Sequence, residues 1–186
     1  MTDVSVRTLG EDDWQQYRTV RLAALSDAPD AFAATVSEEE AFEEDLWRDR
    51  MRRSTRLIAE QDGEVVGVVS VGEARPEELD DDDTFLDDAK PGEIFGLWVS
   101  PGARGLGVAT ALVKAGARQA RTDGRSHVAF WVSTENGPAV AFASGMGFRP
   151  TDFRRPMNVH QEGREPDVEL AMVLPLGEDF GPNSGL

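Results

Sequence analysis

Polar and apolar residues alternate from Val4 to Leu9, which predicts an edge or half-buried strand. From Asp12 to Leu25 the period changes, with Trp14, Tyr17, Arg21, Ala24 and Leu25 at helical spacing. Asp12 and Asp13 fall in its first turn, where acids complement the helix dipole, and Asp27-Ala28-Pro29-Asp30 ends it. Ser37 and Glu40 read as a capping box for a second helix with an apolar face of Phe42, Leu46, Trp47 and Met51. Arg56 to Glu60 and Glu64 to Val71 read as strands joined by an Asp62-Gly63 hairpin turn. A central strand follows at Ile94 to Val99, then an Ala- and Gly-rich helix from Val108 to Arg121 whose small side chains allow close approach to a sheet. His127 to Val132 reads as a buried strand. Asn136 to Ala143 reads as a short helix with Pro138 in its first turn, closed by Gly145-Met146-Gly147-Phe148, and Val168 to Leu174 reads as a last strand. The order β-α-α-β-β-β-α-β-α-β-β predicts one α/β layered domain over residues 1–176, with a mixed, mostly antiparallel sheet flanked by helices. Residues 177–186 read as a flexible tail.

Composition narrows the chemistry. The 186 residues contain no cysteine, which excludes disulfides, thiolate metal sites and a cysteine nucleophile. The first ten residues lack the basic and apolar regions of a signal peptide. No apolar run nears the roughly 18 residues that span a bilayer, so a soluble cytoplasmic protein without membrane partners is expected. A formal net charge of −16 argues against a nucleic-acid partner and leaves two readings, a cationic partner or plain solubility.

The charge is uneven. Between Ser100 and Val132, Arg104, Lys114, Arg118, Arg121 and Arg125 face Asp123 alone, a local +4 that leaves −20 for the rest of the chain. The 74–92 stretch carries Glu77, Glu78, Asp80 to Asp83, Asp87 and Asp88. It reads as a solvated acidic loop or a gate for a cationic substrate, and it lacks the spacing of a calcium-binding EF-hand loop.

Within the basic segment, Arg104-Gly105-Leu106-Gly107-Val108-Ala109 follows the central strand and opens a helix. A glycine turn at a helix start suits an anion, because the first backbone N–H groups lack intrahelical partners and the dipole favours negative charge. A phosphate-bearing ligand is expected here. A Walker loop would need Lys-Ser/Thr after the glycine, and the glycine spacing is wrong for a Rossmann fingerprint.

The turn, the strand before it, and the downstream Asn136-Gly137-Pro138-Ala139-Val140-Ala141-Phe142 with Gly147-Phe148 together resemble the GNAT acetyltransferase superfamily. The resemblance is strongest over Glu93 to Phe148. It implies acetyl-CoA as donor, with the pyrophosphate on the backbone amides of Arg104, Gly105, Leu106, Gly107, Val108 and Ala109, and Thr110 adding a hydroxyl. It also implies that the pantetheine arm pairs with the backbone of Leu97, Trp98 and Val99, where an N–H polarises the thioester carbonyl, and that Asn136 and Phe142 contact the cofactor. Glu93 stands where several such enzymes keep a catalytic glutamate. Where the family often has an acidic tyrosine after Phe142, this chain has Ala143, and its one tyrosine, Tyr17, is distant in sequence. Ser144 or water are the substitutes on offer.

The reading that follows is direct acetyl transfer to a primary amine, since no residue suits a covalent acetyl intermediate. The acidic net charge suggests a polyamine, an aminoglycoside or a peptide or protein amine. The acceptor is expected near Glu93, between the first two helices and the 74–92 and 154–166 loops, with His160 at its border and His127 structural. No metal is expected. The competing readings are an acyl-CoA-binding module without turnover and a transferase of longer acyl groups. A homodimer is expected.

Overall fold

The computed structural model describes residues 3–74, 90–157 and 165–177. Most of the acidic 74–92 stretch, His160 and nearly all of the tail lie outside them. The elements are β1 (Ser5–Leu9), α1 (Trp14–Asp27), α2 (Val36–Glu40), α3 (Glu44–Arg53), β2 (Thr55–Gln61), β3 (Glu64–Glu73), β4 (Gly92–Val99), α4 (Val108–Thr122), β5 (His127–Ser133), α5 (Gly137–Gly145), β6 (Arg149–Pro156) and β7 (Val168–Pro175).

The seven strands form one sheet in the order β1-β2-β3-β4-β5-β7-β6. Only β4 and β5 are parallel; the other neighbours are antiparallel. The mixed, mostly antiparallel α/β architecture expected from the sequence is therefore present. At the Asp62-Gly63 hairpin both residues have positive φ, 54° and 81°, the backbone a tight two-residue hairpin needs.

Each sheet face carries its own core. On one, Val108, Leu112, Val113 and Ala120 of α4 pack on Leu57, Val69, Val71 and Ile94. Gly116 sits where a Cβ would come within 3.2 Å of Val71 and 3.3 Å of Ile94, so the missing side chain is what lets α4 approach the sheet. On the other face, Tyr17, Val20 and Ala24 of α1 and Trp47 and Met51 of α3 pack on Ile58, Val68 and Trp98.

Two expectations are corrected. The capping box belongs to Thr35 and Glu38, not Ser37 and Glu40: the Thr35 hydroxyl oxygen accepts from the Glu38 backbone N–H at 3.3 Å and the Glu38 carboxylate from that of Thr35 at 3.2 Å. Thr35 has the extended backbone of a cap, whereas Ser37 is already helical. The helix so capped stops at Glu40, and α3 begins afresh at Glu44. The expected 154–166 loop begins as strand, because Arg154, Arg155 and Pro156 continue β6 against Leu170, Glu169 and Val168. Charged side chains on an edge strand hid the alternation.

Candidate active site

The site is a fork in the sheet. β4 pairs with β5 only at Gly92, Glu93 and Ile94, although β4 runs on to Val99 and β5 stays paired with β7 as far as Ser133. Past Ile94 the two strands part. On the β3 side, Val68 faces Trp98 and Ser70 faces Phe95, so β4 spends one more residue than β3 over this span. That residue makes a bulge, and Gly96 takes φ 63° within it. A bulge re-aims the backbone beyond it, here Leu97, Trp98 and Val99.

The fork opens into a cleft of about 590 Å³ lined by Ala28, Phe32, Leu97, Trp98, Val99, Ala103, Arg104, Gly105, Gly107, Val108, Ala109, Thr110 and Phe142, among others. At its floor stands the glycine turn. Gly105 and Gly107 have φ of 78° and 84°, which disfavours any residue with a Cβ. Open space surrounds both, so the constraint is conformational rather than crowding. Gly107 is the N-cap of α4 and supplies no side-chain cap. The N–H groups opening α4 are thus offered to an anion.

The turn is strapped to α1. Trp98 Nε1 donates to Asp27 Oδ2 at 2.9 Å and Arg104 Nη2 to the same oxygen at 2.6 Å, while Arg104 Nε donates to the Val99 carbonyl at 3.0 Å. The Trp98 hydrogen bond, helped by Arg104, holds the Asp27 carboxyl below its ordinary range against a smaller opposing effect of burial. The guanidinium of Arg104 therefore braces the turn.

A domain model described as the acetyltransferase (GNAT) family matches residues 16–148, a span that contains the fork and the turn. The chain belongs to the GNAT acetyltransferase family. Its relatives include the mycothiol acetyltransferases of Acidothermus cellulolyticus, 29% identical over 79% of this chain and 45% of that protein, and of Frankia casuarinae, 30% identical over 86% of this chain and 44% of that protein. The chain thus spans about half the length of the curated relatives it matches. The yncA protein of Salmonella typhimurium, solved with its cofactor acetyl-CoA, superposes with a TM-score of 0.68 at 19% identity, over 98% of this chain and 99% of that one.

Within this GNAT domain the sequence-derived candidates separate. The cleft gathers the cofactor candidates except Leu106, which is 59% exposed, and Asn136. Asn136 is the N-cap of α5, its side-chain oxygen accepting from the Ala139 N–H at 3.1 Å. Glu93 lies at the closed end of the fork, opposite Ala129, and its half-buried carboxylate is 3.9 Å from Arg155 Nη2. Arg155 also donates to Glu169 at 2.8 Å and stacks on Trp131 at 4.1 Å. Ala143 is fully buried in the core, and Ser144 is exposed and outside the cleft lining, so neither sets an acid beside it. His127, in β5, contacts Ser126 at 3.0 Å, and burial pushes its pKa down.

Sequence reasoning missed a small cavity of this GNAT domain, about 50 Å³, lined by Tyr17, Arg21, Arg50, Arg56, Val68, Ser70, Phe95 and Gly96. Its side chains come from five elements, so no local motif announces it. Gly96, inside an apolar strand run, was the available signal.

Among the described residues no group of three or more His, Cys, Asp or Glu side chains gathers to hold a metal, and no helix is long and apolar enough to cross a membrane.

Proposed function

We propose that this GNAT domain transfers an acetyl group from acetyl-CoA directly to a primary amine. The observation that carries the reading is the forked cleft, running from a stretch of β4 that β5 leaves unpaired to a helix N-terminus with no side-chain cap. In this account the pyrophosphate rests on the N–H groups of the turn and the start of α4. The pantetheine arm lies along Leu97, Trp98 and Val99 in the gap that β5 vacates. Thr110 and Phe142 also line a second depression of about 730 Å³, rimmed by Lys114, Arg118 and Arg121. Its cationic rim and apolar floor suit the nucleotide end of the donor and account for the one basic segment of an acidic chain.

The amine nitrogen attacks the thioester carbonyl carbon, the C–N bond forms, and the C–S bond breaks to release CoA thiolate. A backbone N–H of the bulged strand stabilises the developing oxyanion. An alkyl amine with pKa near about 10.4 is mostly protonated at neutral pH. Glu93 takes its proton through water, since it stands at the closed end of the fork rather than in the cleft lining. A thiol pKa near about 8.5 makes the thiolate a tolerable leaving group without an acid at position 143. In the same reading the protein is cytoplasmic and homodimeric, pairing through an edge strand, β1 or β6. A monomer mass independent of concentration would refute the dimer.

Thiol release from acetyl-CoA, read with a thiol-reactive dye, tests the reaction. The protein has no cysteine and adds no background. Release that requires an amine supports transfer. The buried Ala143 favours a second reading, a domain that binds acyl-CoA without turnover. Clear acetyl-CoA binding with no release to any amine would establish that instead.

A further inference from the structure

The cavity beside the β4 bulge has an unbalanced charge. Arg21, Arg50 and Arg56 converge on it, and among the described residues one carboxylate, Glu39, answers them. Glu39 is 1% exposed. It accepts from Arg21 Nε at 3.1 Å and Nη2 at 3.0 Å, and also from Arg50 Nη1. Its capacity is committed to those two. Arg56 is 5% exposed and among the described residues has only neutral acceptors: Nη1 donates to Ser70 Oγ at 2.7 Å and Nη2 to the Arg50 carbonyl at 3.0 Å. Its Nε has no acceptor among the described residues. Burial pushes the Arg56 pKa down, with the like charges of Arg50 and Arg21 adding to it and Tyr17 and Glu39 opposing it. The ring faces of Tyr17 and Phe95, 4.8 and 5.5 Å from the guanidinium, offset part of the cost of burying this cation, and an anion would offset more.

The cavity is shaped to admit one. Because the Ser70 oxygen accepts from Arg56, its proton is available to donate. At Gly96 a Cβ would have as nearest neighbours Ser70 Oγ at 3.8 Å and Arg21 Nη1 at 3.9 Å. The absent side chain thus leaves a space bounded by a hydroxyl and a guanidinium. The volume of about 50 Å³ exceeds the roughly 10–15 Å³ that one water needs and leaves room for a small anionic group. A carboxylate also matches the fork of a guanidinium.

The cavity also borders the chemistry. Gly96, which lines the cavity, directly precedes Leu97, which lines the donor cleft. Arg21 stacks on Phe32 at 4.9 Å, and Phe32 lines the cleft.

Resting on the transferase reading, we propose that this cavity binds the carboxylate of the acceptor, which is therefore a small amino acid. Such an acceptor is anionic at one end, which sets it apart from the polyamine or aminoglycoside that the net charge suggests.

The test does not depend on turnover. The Arg Nε–H resonances of the protein are followed by NMR during titration with free amino acids and with their carboxamides. Arg56→Met and Ser70→Ala assign the Arg56 signal, and acetyl-CoA binding by calorimetry confirms that each variant is folded. The expected result is a saturable Arg56 shift with amino acids that is absent or at least tenfold weaker with the amides. An Arg56 signal unmoved by every carboxylate, or moved equally by amides, overturns the proposal. In the thiol-release assay the same pairs differ at least tenfold in kcat/KM, and Ser70→Ala narrows the gap. Amides acetylated as well as acids would sink the acceptor assignment while leaving the transferase intact. Absence of all release would sink the transferase, with the Arg56 titration still deciding the cavity.

Discussion

The donor cleft and the arginine cavity lie on either side of one bulge in β4, yet they are built in opposite ways. The cleft is mostly local: Leu97 to Thr110 supplies a strand, a turn and a helix start in chain order, and in the proposed reading backbone groups hold the donor. The cavity is assembled from side chains of α1, α3, β2, β3 and β4, with Glu39 of α2 behind them. A backbone site built from contiguous chain leaves a spacing pattern of glycines. A side-chain site built from distant segments leaves only isolated residues. The comparison also shows that the net charge of a chain does not fix the charge of a site. Charge at a site depends on which groups are buried around it, and here three arginines face one glutamate inside a chain of −16.

The largest effect expected in separating the two regions is at Glu39. Glu39→Ala leaves three converging guanidiniums without their carboxylate, and breaking a buried pair in this way costs about 3–5 kcal/mol. Thermal unfolding should show a steep drop in Tm. Burial raises the Glu39 pKa, but the hydrogen bonds from Arg21 and Arg50 outweigh it and hold it below the ordinary 4.5. Its stabilisation is therefore full above 4.5 and is lost as pH falls through the lower folded-state value. Acid unfolding of wild type beside Glu39→Gln reads that difference, and identical curves would deny the buried pair its role.

Next in size is Glu93→Gln, which leaves the cleft intact and removes the proposed proton acceptor. A drop in kcat of about a hundredfold or more is expected, regained in part at high pH as free amine accumulates, with acetyl-CoA affinity unchanged. Near-normal rates across pH would remove Glu93 from the mechanism.

Asp27→Asn acts on the donor side alone. It weakens the strap from α1 to Trp98 and Arg104, so KM for acetyl-CoA should rise several-fold with little change in kcat. The depressed Asp27 pKa contributes stability above the ordinary 3.8 that disappears as pH falls through the folded-state value. A variant with unchanged KM would show that the turn holds its shape unaided.

The smallest effect is at His127, far from both regions. Burial lowers its pKa from 6.5, so protonation opposes folding. Its contribution is present above 6.5 and declines as pH falls toward the folded-state value. Chemical denaturation across that window should show a shallow loss of stability in wild type that is missing in His127→Gln.

The elements of the fold were legible where periodicity was strong. The Asp62-Gly63 turn, the small-residue face of α4 and the apolar run of β4 each carry a local signal that the packing obeys. The legibility failed at Ser37, where several residues compete to cap one short helix, and at β6, whose arginines mask its alternation. In the cleft, Gly105 and Gly107 were readable because positive φ demands glycine. Asn136 matched a family pattern, yet its oxygen is occupied in capping α5. The arginine cavity was unreadable because its geometry depends on helix packing and on one extra residue in β4.

Calorimetric titration of acetyl-CoA into wild type, Gly107→Val and Arg56→Met tests most directly the claim that the two regions hold different ligands. The account predicts that Gly107→Val, which places a branched side chain at φ 84°, binds acetyl-CoA at least about tenfold more weakly, while Arg56→Met binds it as wild type does. Equal losses in both variants, or full affinity in Gly107→Val, would contradict it.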